Sequence, residues 1–178
     1  MKSFSEIEEI CREYNIRNYT INDGVVDVDG NVDLSNRDLT ELPLTFGRVT
    51  SHFNCSYNKL TTLKGSPKYV GYNFYCDNNE LTSLEYSPEE VKGDFLCQEN
   101  KIMDLYGMDT DLDGNFYCAD NPIGSILTMM DKEFIHLFKS FKIVNGNTIH
   151  TKRFKYLMEK ICSKYYNLNK IKKFYTFV

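Results

Sequence analysis

Four cysteines, Cys55, Cys76, Cys97 and Cys118, stand 21 residues apart, and much of the chain repeats with them. Phe53, Phe74, Phe95 and Phe116 keep the same period, with Val32 one unit earlier, as do Asn58, Asn79, Asn100 and Asn121. Leu39, Leu60, Leu81, Ile102 and Ile123 form a further column, followed three residues later by Leu42, Leu63, Leu84, Leu105 and Ile126. Val28, Val49, Val70, Val91 and Leu112 lead the units, and Gly30, Gly93 and Gly114 mark the turns. A fixed period of this length directs the chain into a solenoid. One unit cannot bury its apolar face alone, and stacked neighbours share a continuous core.

Each column has a physical reason. Phe and Cys two residues apart lie on one face of a short strand. An asparagine where the chain leaves that strand can serve both N–H and C=O groups that the turn leaves unpaired. The leucines close the core from the returning side. A free buried cysteine behaves as a small hydrophobe, so the cysteine column reads as packing rather than chemistry. Strands about 4.8 Å apart spread four aligned thiols over roughly 14 Å, too far for one zinc ion with Zn–S bonds of about 2.3 Å. Parallel side-chain directions also disfavour bridging adjacent pairs.

The unit Val-x-Gly-x-Phe-x-Cys-x-x-Asn-x-Leu-x-x-Leu resembles a leucine-rich repeat. Its "LTELP" and "LTTLKGSP" tails are similar to the short-repeat subclass of bacterial effector proteins, and residues 18–126 resemble a family of bacteriophage-encoded leucine-rich-repeat proteins. The resemblance implies an α/β leucine-rich-repeat solenoid with a parallel sheet over residues 32–127.

Such a solenoid needs caps. For an N-terminal helix and hairpin cap over 1–31, Ser3 offers an N-cap with Glu6 three residues on, Ile7, Ile10, Cys11 and Tyr14 share a helical face, and Asp23-Gly24 suits a hairpin turn. For a basic helical cap over 128–178, Met129, Phe134, Leu137, Phe138 and Phe141 predict a helix over about 130–141. "KIVNGNTIH" predicts an Asn-Gly turn, and Phe154, Leu157, Met158, Ile161 and Cys162 predict a helix over 151–166. The final "NLNKIKKFYTFV" carries no clear period.

The net charge of −4 conceals a division along the chain. Residues 1–138 hold 11 Lys and Arg against 24 Asp and Glu, while residues 139–178 hold 10 against 1. Such asymmetry marks an interaction surface or mutually attracting parts. The acidic start MKSFSEIEEI is unlike a secretory signal, and no apolar run reaches the roughly 20 residues that span a bilayer. The expectation is a cytoplasmic protein with reduced thiols and no membrane partner; if phage-encoded, it would act in the host cytoplasm.

Chemistry-bearing motifs are few. "DTDLDGNFYCAD" places Asp109, Asp111, Asp113, Gly114 and Asp120 as in an EF-hand calcium loop, but Gly114, Phe116 and Cys118 already belong to the repeat. Cys118-Ala119-Asp120 has the Cys-x-Asp spacing of ubiquitin ligases that carry similar repeats, yet it lies within a repeat strand. Only 52 residues follow Ile126, too few for such a domain. His52, His136 and His150 are scattered, and no Ser/His/Asp set, Walker loop or dinucleotide fingerprint occurs. The sequence therefore points to a non-enzymatic protein without cofactor or metal.

Surface columns remain. One runs Asp33, Asn54, Tyr75, Leu96, Tyr117; a second Ser35, Ser56, Asp77, Gln98, Ala119; a third Asn36, Tyr57, Asn78, Glu99, Asp120. Aromatic anchors in a polar rim suit protein binding, so the partner-binding residues expected are Asn54, Tyr57, Tyr75, Asp77, Leu96, Gln98, Glu99, Tyr117 and Asp120. The phage resemblance implies a host protein as the partner, with inhibition of a host defence system as the role. Two alternatives are an acidic body mimicking nucleic acid and a basic tail binding it. In the tail, Lys152, Arg153, Lys155, Lys160, Lys164, Lys170, Lys172 and Lys173 interleave with Phe154, Tyr156, Tyr165, Tyr166, Phe174 and Tyr175.

Overall fold

A computed structural model of the 178-residue chain describes residues 2–125, 129–130, 144–145, 148–161 and 168–178. Each 21-residue unit supplies two very short strands, so the chain winds into two sheets. The first holds β1 (Tyr19–Asn22), β2 (Val25–Val28), β4 (Thr45–Val49), β6 (Tyr69–Val70), β8 (Glu90–Val91) and β10 (Asp111–Leu112), in that spatial order. The second holds β3 (Val32–Asp33), β5 (Phe53–Asn54), β7 (Phe74–Tyr75), β9 (Phe95–Leu96), β11 (Phe116–Tyr117) and β12 (Met129–Met130). Pairing is parallel throughout both sheets except for the hairpin β1–β2 at one end and β11–β12 at the other.

Register follows the period. Phe53, Phe74, Phe95 and Phe116 are direct partners in successive strands, and their ring centroids lie 5.6, 4.9 and 5.4 Å apart. A one-residue slip would turn every phenylalanine outward, so burial fixes this alignment. Cys55, Cys76, Cys97 and Cys118 are fully buried beside them, as are Val49, Val70 and Val91 and the leucines at 60, 63, 81 and 84. The valine column thus forms a second parallel sheet facing the same core. Two-residue strands show no alternation long enough to reveal it in sequence.

Just beyond each strand of the second sheet the backbone changes hand. Asn36, Tyr57, Asn78, Glu99 and Asp120 all have φ between 50° and 56°, a left-handed conformation that turns the chain while hydrogen bonds between coils continue, as from the Tyr57 N–H to the Asp77 carbonyl. Asn79 then ties successive coils together: its Oδ1 accepts the Leu60 N–H at 2.9 Å, while Nδ2 donates to the carbonyls of Cys55, Cys76 and Asp77 at 3.0 to 3.2 Å. Asn100 and Asn121 repeat the pattern. Asn58 does so at the half-buried end, accepting from both Arg37 and Leu39 N–H. These bonds serve the turn groups as the sequence suggests.

Surface ion pairs also span coils. Lys59 meets Asp38 and Lys101 meets Glu80, each at 2.8 Å, and Lys68 meets Glu89 at 3.2 Å. The Arg48 guanidinium lies 3.6 Å from the centre of the Tyr69 ring. Exposed pairs of this kind are screened by solvent and contribute little individually.

A second recurring left-handed position holds Gly65, Tyr86 and Gly107, with φ of 99°, 67° and 80°. A Cβ on Gly65 would fall 2.7 Å from the Leu44 carbonyl oxygen, so glycine answers both space and hand there. Tyr86 endures the left-handed penalty with its ring exposed. Tyr86→Gly is expected to stabilise the fold by up to about 1 kcal/mol, the relief of strain outweighing glycine's chain entropy. A higher urea midpoint is the readout, and a lower one would mean that the ring packs usefully.

At the N-terminus, α1 (Phe4–Glu13) begins with the capping box expected at Ser3: the Ser3 side chain accepts from the Glu6 N–H, and Glu6 Oε2 accepts the Ser3 N–H at 2.6 Å. Ile7 and Cys11 bury their side chains in the common core. Asp23 and Gly24, with φ of 50° and 79°, make the β1–β2 turn.

Farther on, β13 (Val144–Asn145) pairs with β14 (Thr148–Ile149) as the Asn-Gly motif suggests, although Gly146 and Asn147 lie outside the described residues. The helix expected over 151–166 is α2 (Thr151–Ile161). The unassigned last stretch forms α3 (Leu168–Ile171) and β15 (Thr176–Phe177), the latter parallel to β14. Ile149, Phe154, Ile171 and Tyr175 join the core, and the Tyr175 hydroxyl donates to the Met103 carbonyl.

The helix expected over about 130–141 is not seen at its start, because Met129–Met130 pairs with β11. Residues 131–143 and Cys162 lie outside the described residues. Among the described residues, no helix is long and apolar enough to cross a membrane.

Candidate protein-binding face

The outer face of the second sheet is built by strand alternation. With Phe and Cys inward, Asn54, Tyr75, Leu96 and Tyr117 are placed in direct register across β5, β7, β9 and β11. The expected column is therefore real as a row of neighbours. Its exposure differs: Tyr75, Leu96 and Tyr117 are half-buried, since side chains about 4.8 Å apart shield one another. In the second column Ser56 is buried, its hydroxyl bound to Asn54 Oδ1 at 2.6 Å. Asp77 is half-buried and accepts from Asn78 Nδ2 at 3.0 Å.

Third-column residues are not strand residues. Tyr57, Glu99 and Asp120 project from the left-handed turn just beyond the sheet, all three exposed. They border the face instead of lying on it.

Two residues outside the expected set adjoin the row. The His52 ring centroid lies 5.3 Å from that of Tyr72 and 5.9 Å from that of Tyr75, with the rings tilted and Tyr72 exposed. Asn73 Nδ2 donates to the Tyr75 hydroxyl at 2.9 Å.

A polar ladder holds this group in place. Asn31 Oδ1 accepts the His52 N–H, His52 Nδ1 accepts the Asn73 N–H, Asn73 Oδ1 accepts the Asp94 N–H, and Asp94 Oδ1 accepts the Asn115 N–H, at 2.8 to 3.2 Å. The signal was present as a column at the period of 21. The changing residue types of its first four members, Asn, His, Asn and Asp, hid a shared role as acceptor.

Nucleophilic chemistry finds no support in the cysteine column. Cys11, Cys55, Cys76, Cys97 and Cys118 are buried and form no disulfide. Burial pushes the Cys55, Cys76 and Cys97 thiols far above their ordinary range and holds Cys118 up at about 12. Reactive cysteines instead have lowered pKa values and access to solvent.

The calcium-loop reading meets a geometric obstacle. Residues 109–120 are divided between β10 and β11 in different sheets, and Asp113 pairs with Lys92 at 3.1 Å. Among the described residues, no group of three or more His, Cys, Asp or Glu is placed to hold a metal. A cleft of about 480 Å3 near α1 is lined by Lys2, Glu6, Glu41, Thr62 and Lys64 among others, without histidine or cysteine.

The basic tail divides by burial. Phe154 and Tyr175 are core, whereas Lys152, Arg153, Lys155, Tyr156, Lys172, Lys173 and Phe174 are exposed. Lys164, Tyr165 and Tyr166 lie outside the described residues.

Two parallel sheets wound at a fixed period and tied by an asparagine ladder define a parallel β-solenoid. No protein family, characterised protein or solved structure matches the chain.

Proposed function

We propose that the protein is a non-enzymatic binding module that docks a partner protein on the outer face of the second sheet. The observation that carries this reading is the aligned row of Tyr75, Leu96 and Tyr117, extended by His52 and the exposed Tyr72. Side chains fixed by sheet register lose little entropy on binding, and tyrosines supply large contact area with a polar tip. In the same proposal the solenoid is of the short leucine-rich-repeat kind, with α1 and the β1–β2 hairpin closing one end and the elements from β12 onward closing the other. Its resemblance to phage proteins makes a host protein, as part of a defence system, the target. The working compartment is the host cytoplasm.

The test is an affinity pull-down from bacterial lysate, with and without nuclease, comparing wild type with Tyr75→Ala/Tyr117→Ala. One nuclease-resistant protein, depleted about tenfold or more in the double variant, is expected. A captured protein unaffected by the double variant would remove the face from the proposal.

A second reading rests on the exposed cations and aromatics of α2 and the turn after α3, which suit phosphate and base contacts. Capture that disappears with nuclease, and weakens in Lys172→Gln/Lys173→Gln, would favour it. Mimicry of nucleic acid by the acidic body would instead appear as capture of a DNA-binding protein that is lost at high salt.

A further inference from the structure

The charge pattern around the aromatic row is one-sided. The outward columns that begin at Asn31, Asp33, Ser35 and Asn36 recur every 21 residues and carry five carboxylates, with no lysine or arginine. Asp94 is engaged by the Asn115 N–H. Asp33, Asp77, Glu99 and Asp120 form no ion pair among the described residues. Four of the solenoid's five lysines, Lys59, Lys68, Lys92 and Lys101, are paired with other acids.

The face is also rich in acceptors. Besides the carboxylates, the Gln98 side chain is only partly buried; its Oε1 has no donor but is shielded from solvent, so it could meet a partner only after the side chain turns outward. Tyr57, Glu99 and Asp120 project from left-handed backbone beside this face, all three exposed.

From these observations we infer that the face takes an arginine-bearing polypeptide segment of the partner protein. The inference rests on the protein-binding reading above and gives the partner its chemistry. A guanidinium offers five donors and no acceptor, matching a surface of carboxylate and amide oxygens. It also stacks on aromatic rings and is more weakly hydrated than an ammonium, so rows of Tyr beside Asp and Glu favour it over lysine. The protein itself stacks a guanidinium on a tyrosine ring, at Arg48 over Tyr69.

The experiment is fluorescence anisotropy with a labelled peptide of alternating arginine and serine, its citrulline counterpart and its lysine counterpart. Salt is held at about 0.15 M so that distant charges are screened. Saturable binding of the arginine peptide is expected, about tenfold or more tighter than either counterpart. Asp77→Asn/Glu99→Gln/Asp120→Asn should weaken it by about tenfold or more. Glu9→Gln/Glu13→Gln/Glu41→Gln, which removes the same charge elsewhere, should change it less than about twofold. Circular dichroism of both variants checks that they fold.

Equal weakening by both triple variants, equal binding of either counterpart, or no arginine-peptide binding would each overturn the inference. The two proposals fail separately. A lysate partner that depends on Tyr75 and Tyr117, with no arginine-peptide binding, removes only the partner chemistry. Specific peptide binding with no captured protein leaves an acidic arginine-binding site and removes the docking reading.

Discussion

Asn100→Ala is expected to lower the stability of the fold by about 2–4 kcal/mol, read as a fall in the urea unfolding midpoint. Asn100 is 7% exposed, and its Oδ1 accepts the Leu81 N–H at 2.9 Å. Its Nδ2 donates to the carbonyls of Cys76, Cys97 and Gln98 at 3.0, 3.1 and 3.2 Å. Alanine has neither group. The Leu81 N–H then lies buried without an acceptor, which alone costs about 1–3 kcal/mol.

The neighbouring carbonyls suffer less. Asn79 Nδ2 also reaches the Cys76 carbonyl at 3.2 Å, and Asn121 Nδ2 reaches that of Cys97 at 2.8 Å. Each shared carbonyl keeps one donor, which sets the upper end of the range. Asn100→Asp should be worse than alanine at neutral pH. A carboxylate retains the acceptor but has no proton to give those carbonyls, and it buries a charge. An unchanged midpoint in Asn100→Ala would show that the ladder fills space without serving the backbone.

How legible this fold is in sequence depends on what a column carries. Phe and Cys at alternate places state a buried strand outright, and the register Phe53, Phe74, Phe95, Phe116 follows by counting. The valine strands are hidden because a two-residue strand such as Tyr69–Val70 has one inward residue and no alternation. Left-handed backbone at Tyr57 and Glu99 is equally hidden. The column mixes Asn and Asp, which tolerate that region, with Tyr and Glu, which do not announce it.

The candidate face was legible as a row but not as a surface. Counting places Tyr75 beside Leu96, whereas the partial burial of both, and the approach of His52 and Tyr72 to the row, depend on coil spacing and ring orientation. The C-terminal elements follow no period, and there the local patterns gave α2 and the β13–β14 pair but not β12 or β15.

Raising the pH from 9 to 10 is expected to destabilise the protein steeply, because the folded state holds protons that the unfolded chain releases. Burial is the main cause of the raised Cys55, Cys76, Cys97 and Cys118 pKa values; the Asp77 charge adds to it at Cys55, and neighbouring thiols add to it at Cys76 and Cys97. Below the ordinary thiol pKa of about 8.5, both states are protonated and this stability is fully present. Above it, only the unfolded chain ionises, and each thiol removes about 1.4 kcal/mol per pH unit until its folded pKa is reached.

For Cys118 that limit is about 12, so the window runs from roughly pH 9 upward through the alkaline range. Four thiols together remove roughly 4–5 kcal/mol between pH 9 and 10, a large part of the 5–15 kcal/mol typical of a domain. Tyr175 is also held above its usual range by burial, but it begins to contribute only above about pH 10. Urea unfolding at closely spaced pH values measures the slope directly. Cys76→Ala/Cys97→Ala, although less stable overall, should show a slope smaller by the share of two thiols, because the slope counts protons rather than contacts. A flat profile between pH 8 and 10 would mean that the thiols ionise in the folded state, which is incompatible with a dry cysteine column.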